Sequence, residues 1–178
     1  VMFEYLSALL ASGMPIEYFI EGGRSRTGRL LKPKPGMLSM TVRGFLKERK
    51  KPVAFVPVYI GYEKLMESKA YQAELSGKDK KSETLLATIA SIFKIRGNFG
   101  QVYTSFGQPI ILDKLLDDTH PSWDDKTYND NSRPKWLRAG VQIVAQTMSR
   151  NINRAASVNP TNLIAAALLA TPKQHVDE

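Results

Sequence analysis

The sequence contains no cysteine and only two histidines, His120 and His175, among its 178 residues. A chain without cysteine has no disulfide framework, no thiolate nucleophile and no cysteine-based metal site. Two histidines that lie far apart in the sequence also argue against a histidine-rich metal site. We therefore expect the protein to use neither a metal nor a redox cofactor.

Long apolar runs are missing as well. The longest notable run, residues 163–170, is eight residues long, whereas a membrane-spanning helix needs about 20. The first residues also lack the basic and apolar regions of a signal peptide. We expect no transmembrane segment in this chain. Because it begins with Val1 inside a predicted helix, we interpret it as a fragment.

Positive charge is plentiful and unevenly placed. The net charge is +8, but residues 24–51 hold ten basic residues and one acid, Glu48, so this stretch carries +9 and the rest −1. Such a stretch attracts an anionic substrate, a nucleic acid or an acidic membrane surface. Phe45 is its single aromatic residue, whereas single-strand binders stack bases on several. We expect no nucleic-acid partner, and keep a basic phosphate- or nucleic-acid-binding module as an alternative.

The strongest functional signal is a glycine- and arginine-rich loop after a short apolar run. Residues 16–20 read as a buried strand, and the predicted loop consists of Glu21, Gly22, Gly23, Arg24, Ser25, Arg26, Thr27 and Gly28. Glycines let the backbone approach a ligand closely, and guanidinium groups match phosphate oxygens in pairs. The loop therefore predicts a phosphomonoester site, with an ordinary solvated surface loop as the alternative.

Strand and helix patterns alternate along the chain, which predicts an α/β fold with a mainly parallel or mixed sheet flanked by helices. Helices are predicted at residues 2–11, with Gly13 as the stop, at residues 36–50, 62–75 and 84–95, from Pro134 onward, and from a cap at Asn159 through residues 163–170. Strands are predicted at residues 16–20, 53–60, 99–106 and 109–112. Pro57 interrupts one strand and predicts a bend there. We assign residues 1–157 to one domain, with 113–133 as a surface loop or insertion, and residues 158–178 to a helix and tail.

The helix predicted from residue 36 carries a second hypothesis. Leu38, Val42 and Phe45 recur on one of its faces, and basic residues follow near its end. An amphipathic basic helix of this kind can lie in a membrane interface. One hypothesis is therefore that these three side chains dip into an anionic membrane surface.

Two ordered motifs together resemble the bacterial membrane glycerol-3-phosphate acyltransferases. The glycine-arginine loop, followed by Pro-Lys-Pro-Gly-Met-Leu at residues 33–38, resembles the substrate-phosphate motif of that family. Val-Pro-Val-Tyr-Ile-Gly-Tyr-Glu at residues 56–63 resembles the family's later proline-containing motif, at the expected distance. Further similarity at residues 71–78, 106–109 and 151–156 extends the resemblance over most of the chain.

The resemblance implies part of a glycerolipid-acyltransferase catalytic domain. Such enzymes transfer a fatty acyl group from acyl-CoA or acyl-carrier protein to the 1-hydroxyl of glycerol 3-phosphate, giving lysophosphatidic acid for phospholipid synthesis. Enzymes of this family work at the inner membrane. For this chain we expect peripheral contact with an anionic membrane surface, at the cytoplasmic face of that membrane. Dihydroxyacetone phosphate and lysophosphatidate are the alternative acceptors. No cofactor besides the acyl donor is implied.

By the same resemblance, residues 21–28 form the glycerol-phosphate site. Arg24 and Arg26 would contact the phosphate, and Glu21 would contact glycerol hydroxyls or hold the loop. Val56, Pro57, Val58 and Tyr59 would shape the acyl-donor side, although a strand-end bend and plain packing explain Pro57 and Tyr59 equally well.

No catalytic residue is expected within this chain. The family uses a His-x-x-x-x-Asp motif, in which the histidine is the general base on the attacking hydroxyl. That motif is expected upstream of Val1, so the chain alone should be inactive. His120 and Asp125 have the same spacing, but they follow the phosphate motif in an acidic loop, and we interpret them as a coincidence.

Overall fold

The computed structural model describes residues 1–23, 25, 29–49, 51–63, 100–124, 128–129 and 133–170. Its helices are α1 (Met2–Ser12), α2 (Pro35–Glu48), α3 (Leu112–Thr119), α4 (Leu137–Arg154) and α5 (Pro160–Ala170). Its strands are β1 (Ala54–Phe55), β2 (Val58–Tyr62), β3 (Val102–Phe106) and β4 (Ile110–Ile111). Two compact units result, one of residues 1–59 and 105–156, the other of residues 60–104 and 157–178.

The first predicted helix is confirmed as α1, and Gly13 ends it. Gly13 adopts a left-handed conformation with φ 78°, which costs a glycine little because it has no Cβ. Its N–H donates to the carbonyl of Leu10 at 3.0 Å, and the N–H of Met14 donates to Leu9 at 3.1 Å. These two bonds satisfy carbonyls that the end of the helix would leave unpaired.

The second predicted helix is confirmed as α2, but the membrane hypothesis for it is wrong. Leu38 and Val42 are 0% exposed and Phe45 is 7% exposed. All three belong to the hydrophobic core of the first unit, and α2 packs on both α1 and α4. Burial within the protein removes this face from any lipid, because side chains already out of water gain nothing from a bilayer.

The long helix predicted from Pro134 is confirmed as α4, which begins at Leu137. Its side chains at three- and four-residue spacing face the core, as the pattern predicts. Leu137, Val141, Val144 and Met148 are each at most 7% exposed. The core of the first unit thus lies where α4 meets α2.

The strands pair in antiparallel fashion, and the predicted parallel sheet is not confirmed. β1 pairs with β4, with Ala54 opposite Ile111 and Phe55 opposite Ile110. β2 pairs with β3. The Gly107 N–H donates to the Pro57 carbonyl at 2.7 Å at one end of this pair, and the Glu63 N–H donates to the Gln101 carbonyl at 3.0 Å at the other. Residue numbers increase along β2 in the direction in which they decrease along β3, so the pair is antiparallel.

The apolar run at residues 53–60 is divided at Val56 and Pro57, so the predicted bend is confirmed. β2 then continues to Tyr62, where a helix was predicted to begin, and this start is wrong. The remainder of that helix and the helix at 84–95 lie outside the described residues. Residues 16–20 do not form a strand. An extended segment becomes a strand only when a neighbour completes a ladder of hydrogen bonds, and no described residue does so here.

Helix α3 occupies the first part of the region predicted as a surface loop, so the loop assignment is wrong for residues 113–119. Leu112 and Leu116 lie four residues apart on one face, and both are 0% exposed. Their burial near α4 stabilises a helix despite the acidic composition of the segment. Trp123, which follows the helix, also packs against the core.

The second unit contains α5, the last predicted helix, with the predicted cap at Asn159. The Asn162 N–H donates to Asn159 Oδ1 at 2.8 Å, and the Asn159 N–H donates to Asn162 Oδ1 at 3.0 Å. This reciprocal pair satisfies two donors at the start of the helix. The apolar side chains of α5 are exposed, Leu169 by 76%. Among the described helices, none combines the length and apolar character needed to cross a bilayer.

Gly44 allows α1 and α2 to approach closely. A Cβ added there would lie 2.9 Å from Leu10 Cδ1 and 3.3 Å from Ser7 Oγ. Because overpacking a close contact costs about 1–3 kcal/mol, we expect Gly44→Val to lower the free energy of unfolding, measured in urea, by that amount. Gly36→Ala is the control, since a Cβ there meets nothing within 4 Å. Equal stability of the two variants would contradict this packing.

Candidate functional site

A hydrogen bond between Ile20 and Lys34 closes the glycine-arginine loop at its neck. The Lys34 N–H donates to the Ile20 carbonyl at 2.7 Å. Lys34 precedes Pro35, the first residue of α2, and is extended with φ −89° and ψ 122°, as expected of a residue before proline. The loop therefore leaves the core at Ile20 and returns to it at the start of α2.

Glu21 and Gly22 shape the first turn of the loop. Glu21 Oε2 accepts a hydrogen bond from the Leu31 N–H at 2.9 Å, so the carboxylate ties the outgoing chain to the returning chain. Gly22 has a φ of 60°, a conformation that residues with a Cβ rarely adopt. Its N–H donates to the Phe19 carbonyl at 3.3 Å. Gly23 is exposed, and a Cβ there would meet nothing within 4 Å.

Ser25 lies further along the loop with an unused polar atom. Its Oγ is buried and has no hydrogen-bond partner in the part of the chain that the structure describes. Buried hydroxyls are nearly always hydrogen-bonded, so Ser25 Oγ differs from the usual case within the described residues. Arg24, Arg26, Thr27 and Gly28 were also predicted to belong to the site, and they lie outside the described residues.

Tyr18 anchors the segment that leads into the loop. Its hydroxyl lies 3.3 Å from Thr41 Oγ1, and Thr41 in turn donates to the Met37 carbonyl at 3.0 Å. Either hydroxyl can be the donor of the bond between Tyr18 and Thr41. Burial raises the pKa of Tyr18 above its usual value of 10.0, and the hydrogen bond to Thr41 opposes this in part.

The cations of α2 stabilise the fold. The Arg43 guanidinium lies 4.1 Å from the centre of the Phe3 ring, and its Nε donates to the Tyr128 hydroxyl at 3.2 Å. Lys47 pairs with Glu4 of α1 at 2.7 Å. Arg49 pairs with Asp124, and its guanidinium lies 5.3 Å from the Trp123 ring. Just beyond α2, Lys51 donates to the Ser12 carbonyl at 2.8 Å.

The returning half of the loop carries three more cations, Arg29, Lys32 and Lys34, and all three are exposed. Within the described residues, no hydrogen bond or ion pair engages the head groups of these side chains. The described cations of residues 29–51 therefore divide into two groups. Those at the end of α2 contact neighbouring elements, while the head groups of Arg29, Lys32 and Lys34 have no partner among the described residues.

The residues predicted for the acyl-donor side lie at the start of β2. Val56 and Val58 are 47% and 37% exposed, Pro57 is fully buried and Tyr59 is half-buried. The Pro57 side chain packs beside Gly107, where an added Cβ would lie 3.2 Å from Pro57 Cβ. The segment predicted for the acyl-donor side and the glycine-arginine loop are joined to the same core, through Phe55 and Ile20 respectively.

Gly107 also joins the proline motif to the end of α4. A Cβ at Gly107 would lie 2.9 Å from the Asn151 carbonyl oxygen, and Asn151 Nδ2 donates to the Gln108 carbonyl at 2.9 Å. The three similar segments at residues 56–63, 106–109 and 151–156 therefore meet at one place. The contact of Gly107 with Asn151 could not be predicted from the sequence, since spacing alone does not show that the two residues touch.

His120 lies at the end of α3, away from any strand-to-loop junction. Its ring stacks on Trp136 with centroids 5.2 Å apart, and its Cδ2 lies beside Gly140. The Nε2 atom is buried and has no hydrogen-bond partner within the described part of the chain. Asp125, the other half of the coincidental motif, lies outside the described residues. The surroundings of His120 are those of a packed side chain.

The comparisons with known proteins cover both halves of the site. A family profile for acyltransferases matches residues 1–61, which include the phosphate loop and the Pro57 bend. A second profile, for the glycerol-3-phosphate acyltransferase C-terminal region, matches residues 71–178. The chain belongs to the glycerol-3-phosphate acyltransferase family. Gly107 and Asn151 thus fall in the part of the chain that carries the family's C-terminal region.

Individual relatives agree with this assignment. The glycerol-3-phosphate acyltransferase of Pseudomonas putida is 46% identical over 175 residues, 98% of this chain. That of Xylella fastidiosa is 49% identical over 179 residues, the whole chain. The Pseudomonas aeruginosa enzyme is 46% identical over 175 residues. In each case the chain spans 21% of the length of the relative.

The raised pKa of Tyr18 makes the free energy of unfolding depend on pH in a testable way. Its folded pKa is raised above the usual 10.0, so between these two values the folded protein binds more protons than the unfolded one. Stability must then fall as pH rises above about 10. Tyr18→Phe loses a hydrogen bond worth about 0.5–1.5 kcal/mol at neutral pH, but it also loses this titration.

We therefore expect the stability gap between the parent and Tyr18→Phe to narrow above about pH 10. Urea unfolding at a series of pH values measures the gap. Tyr5→Phe is the control, because Tyr5 is 62% exposed. A gap that stays constant up to the alkaline limit of folding would show that Tyr18 titrates as it does in the unfolded chain.

Proposed function

We propose that the enzyme carrying this chain transfers a fatty acyl group from acyl-CoA or acyl-carrier protein to the 1-hydroxyl of glycerol 3-phosphate. The product is lysophosphatidic acid, a precursor of phospholipids. The observation that carries the proposal is the closed neck of the loop at Ile20 and Lys34, beside cations whose head groups no described residue engages. Membership of the family and the names of its relatives support the choice of phosphate acceptor and reaction.

The residues of this chain serve to bind and orient the acceptor. The 1-hydroxyl attacks the thioester carbonyl, its proton passes to a general base, and the thiol of the donor leaves. The family resemblance assigns the base to a histidine that has no counterpart among the residues of this chain. A phosphate held at the loop fixes the other end of the acceptor, so the hydroxyl is presented at a constant distance and angle.

Glu21 had two proposed roles, contact with glycerol hydroxyls and support of the loop. Its hydrogen bond to the Leu31 N–H favours support. A carboxylate engaged in this way keeps the two sides of the loop together. Glu21 is therefore proposed as a residue that positions Arg24 and Arg26, the two proposed phosphate ligands.

The acyl-donor side is proposed for residues 56–59. Val56 and Val58 are apolar and partly exposed, which suits contact with the apolar part of the donor. Pro57 fixes their backbone because it is buried and its carbonyl accepts the Gly107 N–H. This arrangement supports the proposal that Val56 and Val58 form an apolar surface, held in place by Pro57, for the acyl donor.

Two other substrate classes remain as alternatives. Dihydroxyacetone phosphate and lysophosphatidate present the same phosphate group, and a comparison of turnover with all three acceptors separates them. A nucleic-acid-binding module is the alternative of another class. The contacts of Arg43, Lys47 and Arg49 within the protein weigh against it, because these cations of the basic stretch are already engaged and do not form a long free basic face with those of the loop.

The enzyme is also proposed to work at the cytoplasmic face of the inner membrane, in peripheral contact with an anionic surface. Since α2 buries its apolar face, this contact must come from other surfaces. Helix α5 supports the proposal, because Leu163, Ile164 and Leu169 are all more than half exposed. Exposed apolar side chains of this kind are suited to a lipid or protein surface.

The arginines of the loop provide the direct test. Charge-assisted hydrogen bonds contribute about 1.5–3 kcal/mol each, so Arg24→Ala or Arg26→Ala in the full-length enzyme should raise the KM for glycerol 3-phosphate about 10- to 100-fold. Steady-state kinetics with acyl-CoA held at saturation measures this change.

Arg138→Ala is the matched control. Arg138 is an exposed arginine near the start of α4, far along the chain from the loop, and its removal should leave KM unchanged. If Arg24→Ala and Arg26→Ala both behave like the control, the loop does not bind the phosphate of the acceptor.

A further inference from the structure

Lys34 differs from the other loop cations in its contact with Gly22. A Cβ built on Gly22 would lie 2.7 Å from Lys34 Cδ, 3.4 Å from Cε and 3.5 Å from Cγ. The aliphatic stem of Lys34 therefore lies over the backbone of Gly22. It occupies the space that the Cβ atom of any residue other than glycine would take at position 22. Since Nζ is one bond beyond Cε, the ammonium group is held at the neck of the loop.

The position of Lys34 is fixed before any ligand arrives. Pro33 and Pro35 restrict the backbone on both sides, and the Lys34 N–H is bonded to Ile20. The same contacts that close the loop thus place the stem of the lysine. A side chain that is already oriented loses less conformational entropy when it binds a ligand.

The ammonium group of Lys34 also lacks a competing partner. Within the described residues, no ion pair or hydrogen bond occupies it, in contrast to Lys47 and Lys51, which bind Glu4 and the Ser12 carbonyl. The acid closest to it along the loop is Glu21, whose carboxylate accepts the Leu31 N–H. The charge of Lys34 is therefore not neutralised within the described part of the chain.

We propose that Lys34 binds the phosphate of the acceptor as a third cation, together with Arg24 and Arg26. This inference rests on the proposed function of the loop. A phosphomonoester carries a charge of about −1.5 to −2 at pH 7 and has three acceptor oxygens. Guanidinium groups bind such oxygens in pairs, whereas a lysine ammonium acts as a compact point charge. The three cations together exceed the charge of the phosphate, and Ser25 Oγ adds a neutral hydrogen bond.

Lys34→Met in the full-length enzyme separates charge from packing. Methionine keeps an unbranched apolar stem over Gly22 and removes the ammonium group. The expected result is a rise in the KM for glycerol 3-phosphate of about tenfold or more, with a much smaller change in kcat. Lys34→Arg should recover part of the loss, because it restores the positive charge. Inhibition by inorganic phosphate should weaken in Lys34→Met by a similar factor.

Lys114→Met is the matched control, since Lys114 is an exposed lysine on α3, outside the loop, and has the same charge. It should change KM by less than about twofold, as expected for a screened surface charge. If Lys34→Met equals Lys114→Met while the Arg24 and Arg26 variants raise KM, this inference is wrong and the proposed function stands. If none of the Arg24, Arg26 and Lys34 variants changes the KM for glycerol 3-phosphate, both this inference and the proposed function of the loop are wrong. A lower kcat with unchanged KM would assign Lys34 a structural role and overturn the inference.

Discussion

The geometry of the loop depends on the hydrogen bond between the Ile20 carbonyl and the Lys34 N–H. On one side of this bond lies Ile20, buried in the core, and on the other lies the start of α2. Helix α2 is itself held by the burial of Leu38 and Val42 against α4. A loop anchored at both ends to one core loses less entropy on binding than a free loop does.

The division of positive charge follows from the same architecture. Arg43, Lys47 and Arg49 face elements that pack beside α2, and they engage Phe3, Glu4 and Asp124. Surface contacts of this kind contribute modestly one by one, but together they join α1 and the segment after α3 to α2. The cations of the loop have no such neighbours among the described residues. One basic stretch of sequence thus supplies both cations that stabilise the fold and cations that no described residue engages.

Local patterns predicted the helices well. Apolar spacing predicted α1, α2, α4 and α5, and the terminal residues Gly13, Pro134 and Asn159 helped because such residues act within a few positions of where they stand. Which segments of the chain pack or pair with one another could not be predicted in the same way. Residues 16–20 and the pairing of β1 with β4 depend on which segments meet in space, and a single sequence does not reveal this. The membrane hypothesis for α2 failed for that reason, since an apolar face looks the same whether lipid or α4 covers it.

In the candidate site, chemistry was easier to predict than geometry. Glycines, arginines and Pro57 were recognised from their residue types and order, and Pro57 does divide the strand. The roles of Tyr18, Lys34 and Gly107 were missed because each depends on a contact across the chain. Pro33 and Pro35 offered a signal for Lys34, since two prolines fix the backbone of the residue between them. Leu112 and Leu116, four residues apart, were likewise a signal for helix α3, but the acidic composition of residues 112–119 obscured it.

The most direct test of the account is amide hydrogen exchange of the loop in the full-length enzyme, with and without glycerol 3-phosphate. Ligand binding to an anchored loop should slow the exchange of the amides at Leu31 and Lys34, whose hydrogen bonds hold the loop closed. Glycerol at the same concentration should leave these amides unchanged, because it lacks the phosphate. Equal protection by both ligands, or protection confined to other parts of the enzyme, would contradict the account.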